Sequence, residues 1–161
     1  MRSIVELFAE YIEQGRLTLD PSANPEVITY HDSCNLARTS GIYREPRVIL
    51  NAVAQNFREM TPHGLENYCC GGGGGLVALP EYDEKRLRAG KPKAEQIRAT
   101  GAQVVAAACE NCRLQLGDLN NYYNLNVQIT ALADLIVKAM RLSGAAEPSA
   151  IPAEMPVAIA G

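Results

Sequence analysis

The chain contains 161 residues, of which 47% are hydrophobic and 20% are charged, and it carries a net charge of −3. This composition excludes wholesale disorder and is typical of one globular domain, which at this length buries roughly 70% of its unfolded surface without help from disulfides. The acidic balance argues against nucleic acid as a partner, and no apolar run is long enough for a direct membrane span. Because the N-terminus also lacks a signal-peptide core, we expect a cytoplasmic protein.

The first third of the chain predicts a helix, a strand and a second helix. Apolar residues at helical spacing predict a helix over 3–14, and a connector rich in Pro, Asp, Ser and Asn follows up to residue 25. The β-branched and aromatic run Val27–Tyr30 predicts a short strand. Pro46 suits a first helical turn, and we expect that helix to continue through Val48–Phe57.

The later elements alternate in type. A charged helix is predicted over 83–100, split in two by Gly90 and Pro92. Strand, helix, strand and helix then follow, over Gln103–Ala108, Arg113–Tyr123, Val127–Ile129 and Ala131–Leu142. This alternation predicts an α/β fold with a short parallel sheet flanked by helices. We therefore divide the chain into an N-terminal helix and connector (1–25), a cysteine-rich domain (26–142) and a disordered tail rich in Ala and Pro (143–161).

Cysteine is the most informative residue type in this sequence. The five cysteines are Cys34, Cys69, Cys70, Cys109 and Cys112, in the pattern C-x34-C-C-G-x37-C-x-x-C. An odd number in a chain without a secretion signal argues against a disulfide framework and favours metal or redox chemistry. Cys34 and Cys109 follow predicted strands, and ligands gather at the carboxyl ends of parallel strands. We therefore expect three distant segments to bring all five thiols to one metal site on loops at that edge.

A run of five glycines, Gly71–Gly75, follows the adjacent pair of cysteines. Successive glycines can form a concavity of backbone N–H groups that holds an anion, and such donors can hydrogen-bond thiolate or sulfide sulfur. We therefore assign Gly71, Gly72 and Gly73 as cofactor-binding residues. A flexible linker is the simpler alternative. A phosphate loop fits less well, because the run lacks the Gly-Lys-Ser/Thr ending and Leu76 breaks the dinucleotide-binding pattern.

Other assignments of the cysteines stay open at this point. A zinc site would use four of them and leave the fifth idle. Cys109 and Cys112, between a predicted strand and a predicted helix, also fit a thioredoxin-type dithiol, although this leaves the other three unexplained. Free or buried thiols without a metal are the remaining alternative.

Two polar features beside the cysteines have alternative interpretations. His31, three residues before Cys34, is either a proton donor to a leaving thiolate or a residue that caps a turn, and Asp32 suits a turn. The stretch 83–98 contains six basic and three acidic residues. It predicts either a solvated helix face or a docking patch for an acidic partner.

Over roughly residues 29–140 the sequence resembles the CCG cysteine-rich domain of heterodisulfide reductase subunits and related redox proteins. The likeness is strongest at YHDSCN, GIYREPR, CCGGGGG, KPKAEQI and ACENC, in residues 30–35, 41–47, 69–75, 91–97 and 108–112. In that family the five cysteines hold iron–sulfur, in the best-known case a non-cubane [4Fe–4S] cluster, and some members bind zinc at a related site. The resemblance implies an α/β domain in which all five cysteines are metal ligands, the fifth permitting an opened cluster with an accessible iron.

Within that family the glycine run looks most like the catalytic iron–sulfur subunit of a heterodisulfide-reductase-like membrane complex associated with sulfite reduction. The resemblance implies reduction of a disulfide or trisulfide on a small sulfur-carrier protein, with electrons from a quinol-linked membrane subunit. The domain would then lie at the inner face of the membrane through partner subunits. Such subunits also carry ferredoxin-like cysteine runs upstream, and no C-x2-C-x2-C run occurs here, so we interpret the chain as a carboxy-terminal portion. Alternatives are a zinc-binding interaction module without catalytic activity, or an iron–sulfur subunit of a lactate-, glycolate- or succinate-type oxidoreductase.

Overall fold

A computed structural model describes residues 2–141, so the expected tail (143–161) lies outside the described residues. The centre of the fold is a sheet of four parallel strands in the order β2-β1-β3-β4. The strands are β1 (Val27–His31), β2 (Asn56–Phe57), β3 (Val104–Ala107) and β4 (Gln128–Ala131). The predicted α/β fold with a short parallel sheet is confirmed.

Six α-helices in residues 2–141 flank this sheet. They are α1 (Ile4–Glu13), α2 (Glu45–Val53), α3 (Asp83–Ala89), α4 (Lys91–Thr100), α5 (Glu110–Tyr123) and α6 (Leu132–Ala139). Most of them match the predicted helices within a few residues. The prediction that α2 continues through Phe57 is wrong. Helix α2 ends at Val53, and Phe57 lies in strand β2, where it pairs in parallel with Ile28 of β1. Apolar periodicity alone could not separate the end of this helix from a two-residue edge strand.

The two faces of the sheet support two separate hydrophobic clusters. Successive strand residues point to opposite faces, so Tyr30 and Ala106 pack with α1, α2 and α6, whereas Val105 and Ala107 pack with α4 and α5. The second cluster also contains the side chains of Cys70 and Cys112. The candidate thiols therefore lie at the edge of a hydrophobic core, which restricts the access of water to them.

The first helix is part of the same packed structure. Ser3 caps it in a reciprocal capping box, in which the backbone N–H of Ser3 donates to Glu6 Oε2 at 2.7 Å. Val5 and Ala9 on its inner face are buried in the cluster formed by α2 and α6. The division of the chain at residue 25 remains a prediction.

The predicted break between the two charged helices is confirmed. α3 ends at Ala89, α4 begins at Lys91, and Pro92 lies in its first turn. A Cβ atom on Gly90 would lie 2.6 Å from Leu119 Cδ2 and 3.2 Å from the carbonyl oxygen of Cys70. Glycine is therefore required at this break because the chain passes directly against α5 and the loop that carries the paired cysteines.

Candidate metal centre

Two neighbouring strands bring cysteine-bearing segments to one edge of the sheet. The last residues of β1 and β3, His31 and Ala107, are paired in parallel register. Cys34 follows β1 at the start of a short π-helical turn (Asn35–Thr39), and Cys109 follows β3 as the N-cap residue of α5. Both cysteines are half-buried. The two segments therefore reach the same carboxyl edge, as the strand prediction implied.

The third segment is the loop of residues 67–75, which we call the CCG loop, and it approaches α5. Cys70 is buried in this loop, and its Sγ lies 3.5 Å from Sγ of Cys112. Cys112 lies in the first turn of α5, because this helix begins three residues earlier than predicted. Two thiolates that bind one tetrahedral metal ion at about 2.3 Å are roughly 3.8 Å apart. The observed separation is thus close to the one that a shared metal requires.

His31 completes the closest group of potential ligands in the part of the chain that the structure describes. One of its ring nitrogens and the sulfurs of Cys70 and Cys112 all lie within 4.8 Å of one another. The imidazole is 1% exposed, and neither of its nitrogens has a hydrogen-bond partner. Buried polar groups are nearly always paired. The orphaned imidazole next to two buried thiols therefore fits a site built for a soft metal or a metal cluster.

Burial sets the ionisation of these groups in the metal-free protein. Desolvation, followed by the nearby charge of Lys93, holds the pKa of His31 well below its usual value of 6.5, so the ring is neutral at physiological pH. The hydrogen bond with Cys112 is the main cause that raises the pKa of Cys70 to about 11. A similar hydrogen bond with Cys70, together with burial, raises the pKa of Cys69. A bound metal would lower the pKa of these thiols and deprotonate them, because it binds cysteine as the thiolate.

Three of the five cysteines lie outside the closest group. Cys69 is exposed and interacts with Cys70, whereas Cys34 and Cys109 are half-buried at the ends of their strands. The structure therefore brings Cys70 and Cys112 into contact, and each of the other three lies within three residues of His31, Cys70 or Cys112 along the chain. Assignment of all five as ligands stays a prediction. His31, which the sequence indicated only as a proton donor or a cap, contributes to the closest group.

The glycine run divides into a packed part and an open part. The backbone N–H of Gly71 donates to Cys69 Sγ at 3.4 Å, and that of Gly72 faces the Cys70 sulfur. A Cβ atom on Gly72 would lie 2.6 Å from Val77 Cγ2 and 2.8 Å from Gln115 Cβ, whereas one on Gly73 would meet nothing within 4 Å. A hydrogen bond from a backbone N–H to sulfur is thus seen at Gly71, the N–H of Gly72 acts to lower the pKa of Cys70, and the role of Gly73 remains a prediction.

A buried ion pair holds the end of β1 against the next loops. Asp32 is 1% exposed and forms a two-pronged pair with Arg47, in which Nη2 donates to Oδ2 at 2.7 Å. Arg47 also pairs with Glu59 at 2.8 Å, and the backbone N–H of Gly64 donates to Asp32 Oδ2 at 2.7 Å. Asp32 therefore does more than form a turn: it fixes the loop that leads into the CCG loop relative to Cys34.

The basic stretch 83–98 is not a continuous exposed patch. Arg86 is 5% exposed and pairs with Asp83 and Asp118, each at 2.7 Å. Its Nη1 also donates to Gln115 Oε1 at 2.5 Å, which places it under the glycine run. Lys93 is completely buried. The side chains of Arg86 and Lys93, which the sequence predicted on a solvated or docking face, are therefore buried in the protein near the candidate site.

An open cleft leads to the exposed side of the site. Its volume is about 490 Å³, which is within the usual range of small-molecule pockets. The residues that line it are Arg38, Tyr68, Cys69, Gly71, Ala89 and Pro92. A reactant in this cleft would reach Cys69 from solvent while Cys70 and Cys112 stay covered.

A parallel sheet whose carboxyl edge gathers closely spaced thiols and an unpaired imidazole defines a cysteine-rich metal-binding domain. The chain belongs to the CCG cysteine-rich domain family, whose model matches residues 28–117. The matched region includes all five cysteines and His31. No helix within residues 2–141 has both the length and the apolar character needed to cross a bilayer.

The chain is similar to subunits of several named oxidoreductases. It is 30% identical over 151 residues to the "Hdr-like menaquinol oxidoreductase iron-sulfur subunit 2" of Archaeoglobus fulgidus, covering 89% of this chain and 27% of the relative. It is 28% identical to a subunit of the dihydromethanophenazine:CoB–CoM heterodisulfide reductase of Methanosarcina barkeri, covering 87% and 34% of the respective chains. It is 42% identical over 93 residues to a subunit of the fumarate reductase (CoM/CoB) of Methanothermobacter marburgensis, covering 56% and 18%. The chain therefore spans about a third or less of the length of these relatives.

Proposed function

We propose that this chain is the iron–sulfur electron-transfer domain of a heterodisulfide-reductase-like oxidoreductase. The observation that carries the proposal is the meeting of His31, Cys70 and Cys112, which come from three separate segments, within 4.8 Å of one another in a buried position. Thiolates are the ligands that iron–sulfur clusters use. The similarity to named iron–sulfur subunits supports the same cofactor here.

In this proposal all five cysteines (Cys34, Cys69, Cys70, Cys109 and Cys112) are ligands of one [4Fe–4S] cluster of the non-cubane type. Five ligands exceed the four that a cubane uses, and the additional thiolate permits an opened cluster. The backbone N–H groups of Gly71 and Gly72 already face two of the sulfurs and would stabilise their negative charge. We include Gly73 in the same cofactor-binding loop.

The proposed reaction is the reduction of a disulfide or trisulfide carried by a small sulfur-carrier protein. When bound, the cluster supplies single electrons and an iron that can interact with sulfur. Cleavage of one disulfide consumes two electrons and two protons and yields two thiols, and a quinol-linked membrane subunit provides the electrons. The cleft beside Cys69 admits the substrate, and Arg38 on its wall offers a positive charge to an acidic group of that substrate. The domain would lie on the cytoplasmic face of the membrane through its partner subunits.

A zinc-binding module without catalytic activity is the second candidate function. One histidine nitrogen and two cysteine sulfurs close together form a donor set that is common in structural zinc sites. One further thiolate from Cys34, Cys69 or Cys109 would complete four-coordination.

Purification of the chain without oxygen distinguishes the two candidates. Brown protein that contains iron and acid-labile sulfide supports the proposed function, and an electron paramagnetic resonance spectrum of the reduced protein identifies the cluster type. Colourless protein with one zinc per chain and no sulfide would replace it with the second candidate.

A pair of substitutions on one turn tests the ligand set. We expect Cys34→Ser to reduce the iron content per chain, because a hydroxyl is a poor substitute for a thiolate at iron. Thr39→Ser, at the exposed end of the same turn, is the matched control and should retain full iron. Full iron and an unchanged spectrum in Cys34→Ser would remove Cys34 from the ligand set.

A further inference from the structure

The most unusual charged group in the described part of the chain is the ammonium of Lys93. Its side chain lies on α4 and is completely buried. Nζ donates to Asn67 Oδ1 at 2.7 Å and lies 3.6 Å from the sulfur of Met60, which is a weak acceptor. A buried cation with only an amide and a thioether as partners carries a large desolvation cost unless a negative charge is nearby.

No carboxylate in residues 2–141 forms an ion pair with Lys93. Asp32 is the carboxylate whose charge acts on the pKa of Lys93, but it accepts hydrogen bonds from both Nη atoms of Arg47 and from the N–H of Gly64. The second carboxylate in this region, Glu59, also pairs with Arg47. These two carboxylates and one guanidinium carry one net negative charge, which acts on Lys93 from a distance through Asp32, but no carboxylate oxygen contacts the ammonium.

The remaining groups near Lys93 that can become negative are the thiols of the candidate centre. Met60 belongs to the same buried cluster as Cys70 and Cys112, and Asn67 begins the CCG loop that carries Cys69. Burial lowers the pKa of Lys93 to about 8, whereas Asp32 and the three thiols act in the opposite direction. The group is thus mainly protonated at neutral pH even before any metal adds thiolate charge.

We propose that Lys93 is the buried counter-charge of the thiolate centre, and that it stabilises the more negative, reduced state of the bound cluster and so raises its reduction potential. This inference rests on the proposed function, because it needs a redox-active cluster at these cysteines. A fixed positive charge in a medium of low dielectric constant favours the addition of an electron nearby. Net charge and burial are among the main determinants of the potential of iron–sulfur clusters.

Asn67 fixes the position of this charge. Its side-chain amide donates to the carbonyl oxygen of Asp32 and accepts from Lys93, so it links the end of β1 to α4. Asn67 is 3% exposed and lies two residues before Cys69. The ammonium is therefore held inside the protein at the start of the CCG loop, whereas the cleft beside Cys69 is open to solvent.

Three variants of the full chain, prepared without oxygen, test the inference. Lys93→Met removes the charge and keeps a long apolar side chain, whereas Lys93→Arg keeps the charge. Lys91→Met, on the exposed start of the same helix, makes an equal change in net charge and is the matched control, because the Lys91 side chain is 64% exposed. For each variant we would measure iron and sulfide content, the midpoint potential by spectroscopic redox titration, and the melting temperature before and after chelation of the metal.

The expected result is a lower midpoint potential for Lys93→Met, with little change for Lys93→Arg and Lys91→Met. Lys93→Met should also melt at the same or a higher temperature than the wild type once the metal is removed, because it deletes an unpaired buried charge. A role only in packing would lower the melting temperature of both forms and leave the potential unchanged.

The outcomes separate this inference from the proposed function. A wild-type chain that binds no cluster overturns both. A cluster whose potential is the same in Lys93→Met and the wild type overturns the role of Lys93 alone. Lys93→Met could also fail to take up iron. In that case the inference is supported if Lys93→Arg takes up iron and metal-free Lys93→Met is at least as stable as the metal-free wild type. A less stable metal-free Lys93→Met in that case overturns it.

Discussion

Replacement of Gly72 by alanine tests whether the CCG loop is packed against α5 or only connects two segments. The new Cβ would lie 2.6 Å from Val77 Cγ2 and 2.8 Å from Gln115 Cβ, closer than atoms in proteins approach. The contact with Gln115 is the more restrictive one, because this side chain is completely buried and accepts a hydrogen bond from Arg86 at 2.5 Å. Overpacking of this kind costs about 1–3 kcal/mol. We therefore expect Gly72→Ala to lower the free energy of unfolding by that amount and to reduce iron uptake.

Gly73→Ala is the matched control for this substitution. Its Cβ would meet nothing within 4 Å, and neither Gly72 nor Gly73 has a positive φ, so backbone strain does not distinguish the two variants. Urea unfolding monitored by circular dichroism measures the change in stability, and metal analysis of protein purified without oxygen measures cluster uptake. Equal stability and equal iron in the two variants would refute the reasoning and indicate that the glycine run is a flexible linker.

Three further predictions follow from the same geometry. Cys70→Ser should lose most of its iron, because its sulfur lies closest to a second thiol; unchanged iron and spectrum would contradict this. Asp32→Asn should destabilise the protein by about 1–3 kcal/mol, because it leaves the mostly buried Arg47 with Glu59 as its remaining carboxylate. A urea midpoint equal to that of the wild type would show that the Asp32–Arg47 ion pair does not stabilise the fold. The pKa of His31 is lower in the folded state than in the unfolded state, so the imidazole takes up its proton in the unfolded chain at a higher pH than in the folded protein. The metal-free protein should therefore lose stability as pH falls below about 6.5, by at most about 1.4 kcal/mol per pH unit. This loss should be smaller in His31→Asn, and identical pH profiles would contradict the burial of a neutral ring.

Local patterns were sufficient to predict most of the fold. Alternation of short apolar runs with amphipathic segments indicated the parallel sheet, and the glycine and proline at positions 90 and 92 indicated the break between α3 and α4. The cysteines after β1 and β3 could be placed at one edge because parallel strands end on the same side. Strand β2 could not be predicted in this way, since two residues carry no periodicity and each pairs with a residue 29 positions earlier in the chain.

The amino-acid sequence by itself determined the α/β class, the strand ends that carry Cys34 and Cys109, and the membership in a cysteine-rich family. Only the tertiary structure decided that His31 lies beside Cys70 and Cys112, that Arg86 and Lys93 are inside the protein, and that the glycine run has a packed and an open part. The physical reason is that the burial of a charged side chain depends on partners far away in the chain. Arg86 forms an ion pair with Asp118, and Lys93 donates a hydrogen bond to Asn67. Both partners lie outside the charged stretch 83–98, whose pattern suggested exposed side chains.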